Sequence, residues 1–181
     1  MKKIIAILLL MLFTVSSGER AKPLPVEETE TIEATVIYPV PLDQNLQAHI
    51  VRLCGDHGID PCIIFAQIAI ESNFNADAMG DNGHSYGLMQ IWQDCHLDRM
   101  ERLGVTNLLD PYQNVAVGVD LMSELLGWGN GLDYALSYYS GSGGEISPYA
   151  QRVKEIAQEI NEGAMINVEE RSDFTASHDD L

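Results

Sequence analysis

Asp60-Pro61-Cys62-Ile63-Ile64-Phe65-Ala66-Gln67-Ile68-Ala69-Ile70-Glu71-Ser72 is the stretch whose reading decides the fold. Asp60 offers an N-cap and Pro61 a first-turn proline, which start a helix that runs to about Ser72. Its side chains are apolar nearly all round, so this helix belongs at the centre of a domain. Gln67 is the one polar side chain inside the apolar run, four residues before Glu71 and on the same face. A carboxylate in the last turn faces the negative end of the helix dipole, and apolar neighbours take away its water. Both effects raise its pKa, the condition a general acid needs near neutral pH. The plain alternative is a Glu that ends a helix by pointing into solvent.

Outward from this helix the chain reads as more helices. Leu46, Ile50, Leu53 and Cys54 form an apolar stripe opened by Asp43 and closed near Gly58. Asp110-Pro111 repeats the cap-and-proline device and opens a helix with Val115, Val119, Leu121, Met122 and Leu125 toward the core. Gly127 and Gly129 end it. A shorter helix spans about Asp133 to Tyr139, and Ser147-Pro148 opens a last one with Val153, Ile156 and Ile160 as its stripe. The fold class is mainly α, a single domain over residues 43–165. Residues 18–42, with Pro23, Pro25, Pro39 and Pro41 among Glu27, Glu28, Glu30 and Glu33, read as an extended linker, and the stretch from Thr31 to Val40 is included in it. Residues 166–181 read as an acidic disordered tail.

At the N-terminus, Lys2 and Lys3 precede an apolar run from Ile4 to Phe13 and then small residues, the order of a secretory signal peptide over residues 1–17. The alternative is an uncleaved anchor. Export to the periplasm, the cell wall or the extracellular space follows. The formal charge of −17 becomes −19 once the two lysines are removed, and such a chain repels nucleic acid and anionic membrane surfaces, which makes both poor partners. A sugar polymer, held by hydrogen bonds and aromatic faces, is not. Cys54, Cys62 and Cys95 leave one thiol unpaired at least; export makes one disulfide plausible, and the sequence does not choose the pair. No metal-ligand spacing occurs, and neither a metal nor a cofactor is expected.

Sixteen positions after Glu71 comes Gly87-Leu88-Met89-Gln90-Ile91, preceded by Ser85-Tyr86. Farther on stand Ser137-Tyr138-Tyr139-Ser140-Gly141 and Tyr149-Ala150-Gln151-Arg152-Val153. Together with Glu71-Ser72 these pieces resemble, in kind and order, the signature of the SLT-domain lytic transglycosylases, over about residues 45 to 160. The resemblance implies a lysozyme-like helical fold with a substrate groove and an exported enzyme that cuts peptidoglycan glycan strands. Glu71 would be the acid and then the base. It protonates the oxygen between N-acetylmuramic acid and N-acetylglucosamine, then deprotonates the muramic 6-hydroxyl to close a 1,6-anhydro ring. Tyr138 matches the family tyrosine that hydrogen-bonds this Glu. Gln90 and Met89 match groove residues, Ser85 sits where the loop meets the cleft, and Tyr149 packs near the site with Gln67. Core packing is the alternative for Met89 and Tyr149. Two departures stand out: Tyr139 replaces the usual Asn, and Trp92 replaces a proline and can stack on a sugar or enter the core.

Asp81, ahead of Gly-Leu-Met-Gln, also resembles the loop of goose-type lysozymes, where a second carboxylate positions water for hydrolysis with inversion. The alternative for Asp81-Asn82-Gly83 is an ordinary turn. A wall-binding scaffold without turnover is the reading outside enzymology. A monomer is expected, and by analogy with small wall-cutting enzymes its company is a secretion, conjugation or phage apparatus.

Overall fold

The computed structural model describes residues 32–143 and 147–170. The signal-peptide reading and most of the acidic tail lie outside these residues. Strand β1 (Ile32–Ile37) is followed by helices α1 (Gln44–His57) and α2 (Pro61–Ser72) and by three two-residue strands, β2 (Met79–Gly80), β3 (Ser85–Tyr86) and β4 (Ile91–Trp92). A 3-10 turn at Gln93–Cys95 leads to α3 (Leu97–Leu103), α4 (Pro111–Gly127), α5 (Leu132–Tyr139), α6 (Pro148–Gly163) and β5 (Met165–Glu170).

The expected start signals act as expected. Asp43 accepts from the Leu46 N–H, Asp60 from that of Cys62, Asp110 from those of Tyr112 and Gln113, and Ser147 from that of Ala150. Gly58 ends α1 in the left-handed region. Every residue of α2 from Cys62 to Ile68 is buried, because α1, α4 and α6 contribute apolar faces to the same core. Helix α2 packs chiefly on α6, α1 on α4, and α5 on both α4 and α6. Leu121 is half-buried rather than in the core, as are Leu53 and Ile156 of the other expected stripes.

The reading of residues 18–42 as a linker needs correction at its C-terminal end. Ile32–Ile37 pairs antiparallel with Met165–Glu170, in a register that sets Ile37 opposite Met165 and Ile32 opposite Glu170. Residues 38–42 are also held. Gln47 of α1 accepts from the Tyr38 N–H at 3.0 Å and donates to the Leu42 carbonyl at 3.0 Å, and the Tyr38 ring lies 4.9 Å from Phe65. Proline and glutamate content masked this, because pairing between distant segments leaves no local periodicity in either. The same pairing makes residues 166–170 a strand rather than disordered tail.

The disulfide is absent: Cys54, Cys62 and Cys95 are free thiols. Burial, together with the Asp60 charge, pushes the Cys54 and Cys62 thiols up to about 12, so both act as small core residues.

Candidate active site

A cleft of about 520 Å³ opens between the end of α2, the β2–β4 segment, α4 and the end of α5. Glu71, Asp81, Ser85, Gln90, Trp92, His96, Leu121 and Tyr139 line it, with Ser140 and Gly141 at one rim. Glu71 reaches this wall because α2 stops there. Asn73 and Phe74 both turn into the left-handed region (φ 51° and 65°), and the Asn73 N–H closes on the Ala69 carbonyl at 3.1 Å.

The Tyr149 hydroxyl donates to Glu71 Oε1 at 2.6 Å, and Gln67 Nε2 sits 3.5 Å from the same tyrosine oxygen. Burial lifts the Glu71 pKa above the ordinary carboxylate value, the tyrosine hydrogen bond opposes this by favouring the ionised form, and the Asp81 charge adds to the rise. Burial beside the Glu71 charge also raises the phenols of Tyr149 and Tyr139, so both stay protonated and Tyr149 remains a donor.

The facing wall is a tight loop pinned from beneath. The fully buried Asn114 of α4 accepts from the Met89 N–H at 2.8 Å and donates to the carbonyls of Tyr86 at 2.8 Å and Leu108 at 2.9 Å. Gly87 (φ +74°) lies so close that a Cβ would strike the Asn114 amide and the Leu108 carbonyl, which explains the glycine by backbone packing. Gln90, also at positive φ (45°), donates to the carbonyls of Gly87 at 3.0 Å and Ala78 at 3.2 Å. Ser85 is buried and donates to Asp81.

Several expected roles move. Tyr138 does not reach Glu71: it is an exposed residue whose ring packs on Trp128 and Tyr134, and Tyr149 makes the hydrogen bond expected of it. Adjacent residues on a helix point about 100° apart, so Tyr139 faces inward and Tyr138 outward. Tyr139 donates to the Met89 carbonyl at 2.6 Å, spanning from α5 to the loop. Met89 and Gln67 are fully buried and line no groove. Met89 packs on Gly118, where any Cβ would collide with its sulfur, and Gln67 bonds the Tyr149 hydroxyl from behind the cleft wall. Gln90, Ser85, Asp81 and Glu71 do share the cleft. Trp92 lies on the groove side, 42% exposed and stacked on His84 at 5.2 Å. As site residues Asn114, His96 and Leu121 were missed: Asn114 left the trace of one polar residue on the apolar face of α4, Leu121 was read as core, and His96 left no trace.

The transglycosylase SLT domain family matches residues 54–161, and the chain belongs to that family. Among solved structures, the lytic transglycosylase Slt of Pseudomonas aeruginosa, crystallised as an inactive Glu-to-Gln mutant, is similar with a TM-score of 0.55 at 22% identity. The alignment covers 67% of this chain and 25% of that one, so the chain spans about a quarter of the length of the relative it matches and shares its fold.

Proposed function

We propose that the protein is an exported peptidoglycan lytic transglycosylase with Glu71 as its single acid and base. The observation that carries this reading is the carboxyl of Glu71, half-buried at the end of the central helix, open to the cleft and held by Tyr149. The raised pKa keeps a proton available for the glycosidic oxygen. As the bond from C1 of N-acetylmuramic acid to that oxygen breaks, the proton passes to the leaving sugar and positive charge develops at C1. The carboxylate left behind accepts the Tyr149 hydrogen bond, which stabilises the charge just formed. It then takes the proton of the muramic 6-hydroxyl while that oxygen bonds to C1, which closes the 1,6-anhydro ring and restores Glu71.

Family membership supports the glycan substrate, and the related Slt, inactive as a Glu-to-Gln mutant, supports a carboxyl as the working group. Trp92 gives the cleft an aromatic face for a sugar ring, and Gln90, Ser85 and Asp81 give it polar groups. Residues 1–17 are the export signal in this reading. A secretion, conjugation or phage apparatus would supply its site of action, which a pull-down with and without residues 171–181 tests.

Mass spectrometry of muropeptides released from purified cell wall tests the chemistry. Ends in 1,6-anhydro-N-acetylmuramic acid are expected from the wild type and none from Glu71→Gln. A second reading has one observation in its favour: Asp81 lines the same cleft and its charge reaches Glu71. If Asp81 positions water, the products carry reducing ends instead, as in goose-type lysozymes. No release by either protein, with wall binding retained by both, would leave the scaffold reading.

A further inference from the structure

Tyr138, displaced from the role the sequence suggested, belongs to an aromatic cluster that the chemistry at Glu71 does not use. The Trp128 ring stands edgewise to that of Tyr138 at 5.0 Å, and Tyr134 lies 4.8 Å from Tyr138 on its other side. Trp128 is 46% exposed and Tyr138 37%, so these rings pack on one another at the surface rather than into the core. Tyr134 and Tyr138, four residues apart, share one face of α5.

Two chain segments lead from the cleft to the cluster. Leu121 lines the cleft, and Trp128 follows it by seven residues, still in helical conformation (φ −69°, ψ −9°). Seven residues bring the chain back to nearly the same face, about 10 Å further along the axis, a distance on the order of two linked pyranose rings. On the other path, Gly141 at the cleft rim donates its N–H to the Tyr138 carbonyl at 3.0 Å.

We infer that Trp128, Tyr134 and Tyr138 form a second sugar-binding shelf that takes a pyranose ring of the same glycan strand beyond the rings held in the cleft. A pyranose ring presents an apolar C–H face bordered by hydroxyls, which suits aromatic faces with phenolic hydroxyls at their edge. The net charge of −17 opposes a polyanionic occupant but not this uncharged face. Placement about 10 Å along α4 from a cleft-lining residue, within the reach of a strand bound there, argues for the strand over a protein partner. The inference rests on the proposed glycan substrate.

The test uses the full chain carrying Glu71→Gln, so that nothing turns over, with uncrosslinked glycan strands of at least eight sugars and tetrasaccharide fragments as probes in calorimetry. The parent is expected to bind the long strands about tenfold more tightly than the fragments, and Trp128→Ala to abolish that length advantage. Tyr138→Phe keeps it and Tyr138→Leu loses it, with unchanged thermal melting as the check on folding. In a Trp92→Phe background, Trp128 emission moves to shorter wavelength with long strands only. A length advantage that survives both Trp128→Ala and Tyr138→Leu overturns the shelf and leaves the function standing. A parent that binds neither probe overturns both.

Discussion

Glu71 and Asp81 look into one cleft from two very different pieces of chain. Glu71 projects from the end of a helix buried on all sides, with a phenol 2.6 Å away and a buried amide behind it. Asp81 sits in an exposed turn at positive φ (47°), tied to Ser85 by a side-chain hydrogen bond. Burial therefore works on the first carboxyl, and the second bears on it as a neighbouring charge. The contrast shows how two like groups come to differ: exclusion of water raises the pKa of the carboxyl on the buried helix, and the carboxyl of the exposed turn has no such burial.

Breaking the contrast on the Glu71 side has the largest expected effect. Glu71→Gln keeps an acceptor for Tyr149 but has no proton to give, and muropeptide release should fall by about 10³-fold or more while strand binding persists. The same variant should be more stable at pH 7. A carboxyl whose folded pKa is raised contributes stability that is present below the ordinary Glu value and lost as pH rises through the folded value. Gln escapes that loss, so thermal melts of the two proteins should diverge at pH 7, with the variant the more stable, and converge below the ordinary Glu value.

Tyr149→Phe should lower turnover by about 10- to 100-fold, the worth of one hydrogen bond to a charged group. The bond favours the carboxylate, so its loss raises the Glu71 pKa further, and the alkaline limb of the kcat/KM profile should move to higher pH. A limb that stays in place would separate Tyr149 from the titration of Glu71.

Asn114→Ala tests the wall on which Asp81 stands. It strands the Met89 N–H and two carbonyls in the interior, and should cost about 3 kcal/mol in denaturant melts.

The smallest expected effect sharpens the comparison most. Asp81→Asn removes a charge that raises Glu71, so the alkaline limb should shift to lower pH, with turnover changed less than about threefold. A loss approaching that of Glu71→Gln, or a switch between reducing and anhydro ends, would make Asp81 a reacting group.

Local signals in this chain are strong: the Asp-Pro and Ser-Pro helix starts, the all-apolar run of α2, and a Glu at its end. Five of the six α-helices among the described residues, and the carboxyl that opens to the cleft, were legible from these, since capping and periodicity act within a few residues. The site's supporting contacts were not. Whether Tyr138, Tyr139 or Tyr149 meets Glu71 depends on how α5 and α6 are rotated against α2. A one-residue difference on a helix turns a side chain through about 100°. The strand at Ile32–Ile37 was hidden for a related reason, as its hydrogen-bond partners lie more than a hundred residues away. By itself the sequence determined five of the six α-helices among the described residues, missing the short α3, and where a carboxyl meets the end of the most buried one, because neighbours in the chain set both. The tertiary structure alone decided which phenol holds that carboxyl, which methionine and glutamine are merely packed, and which aromatics reach the surface, because each depends on contacts between segments far apart in sequence.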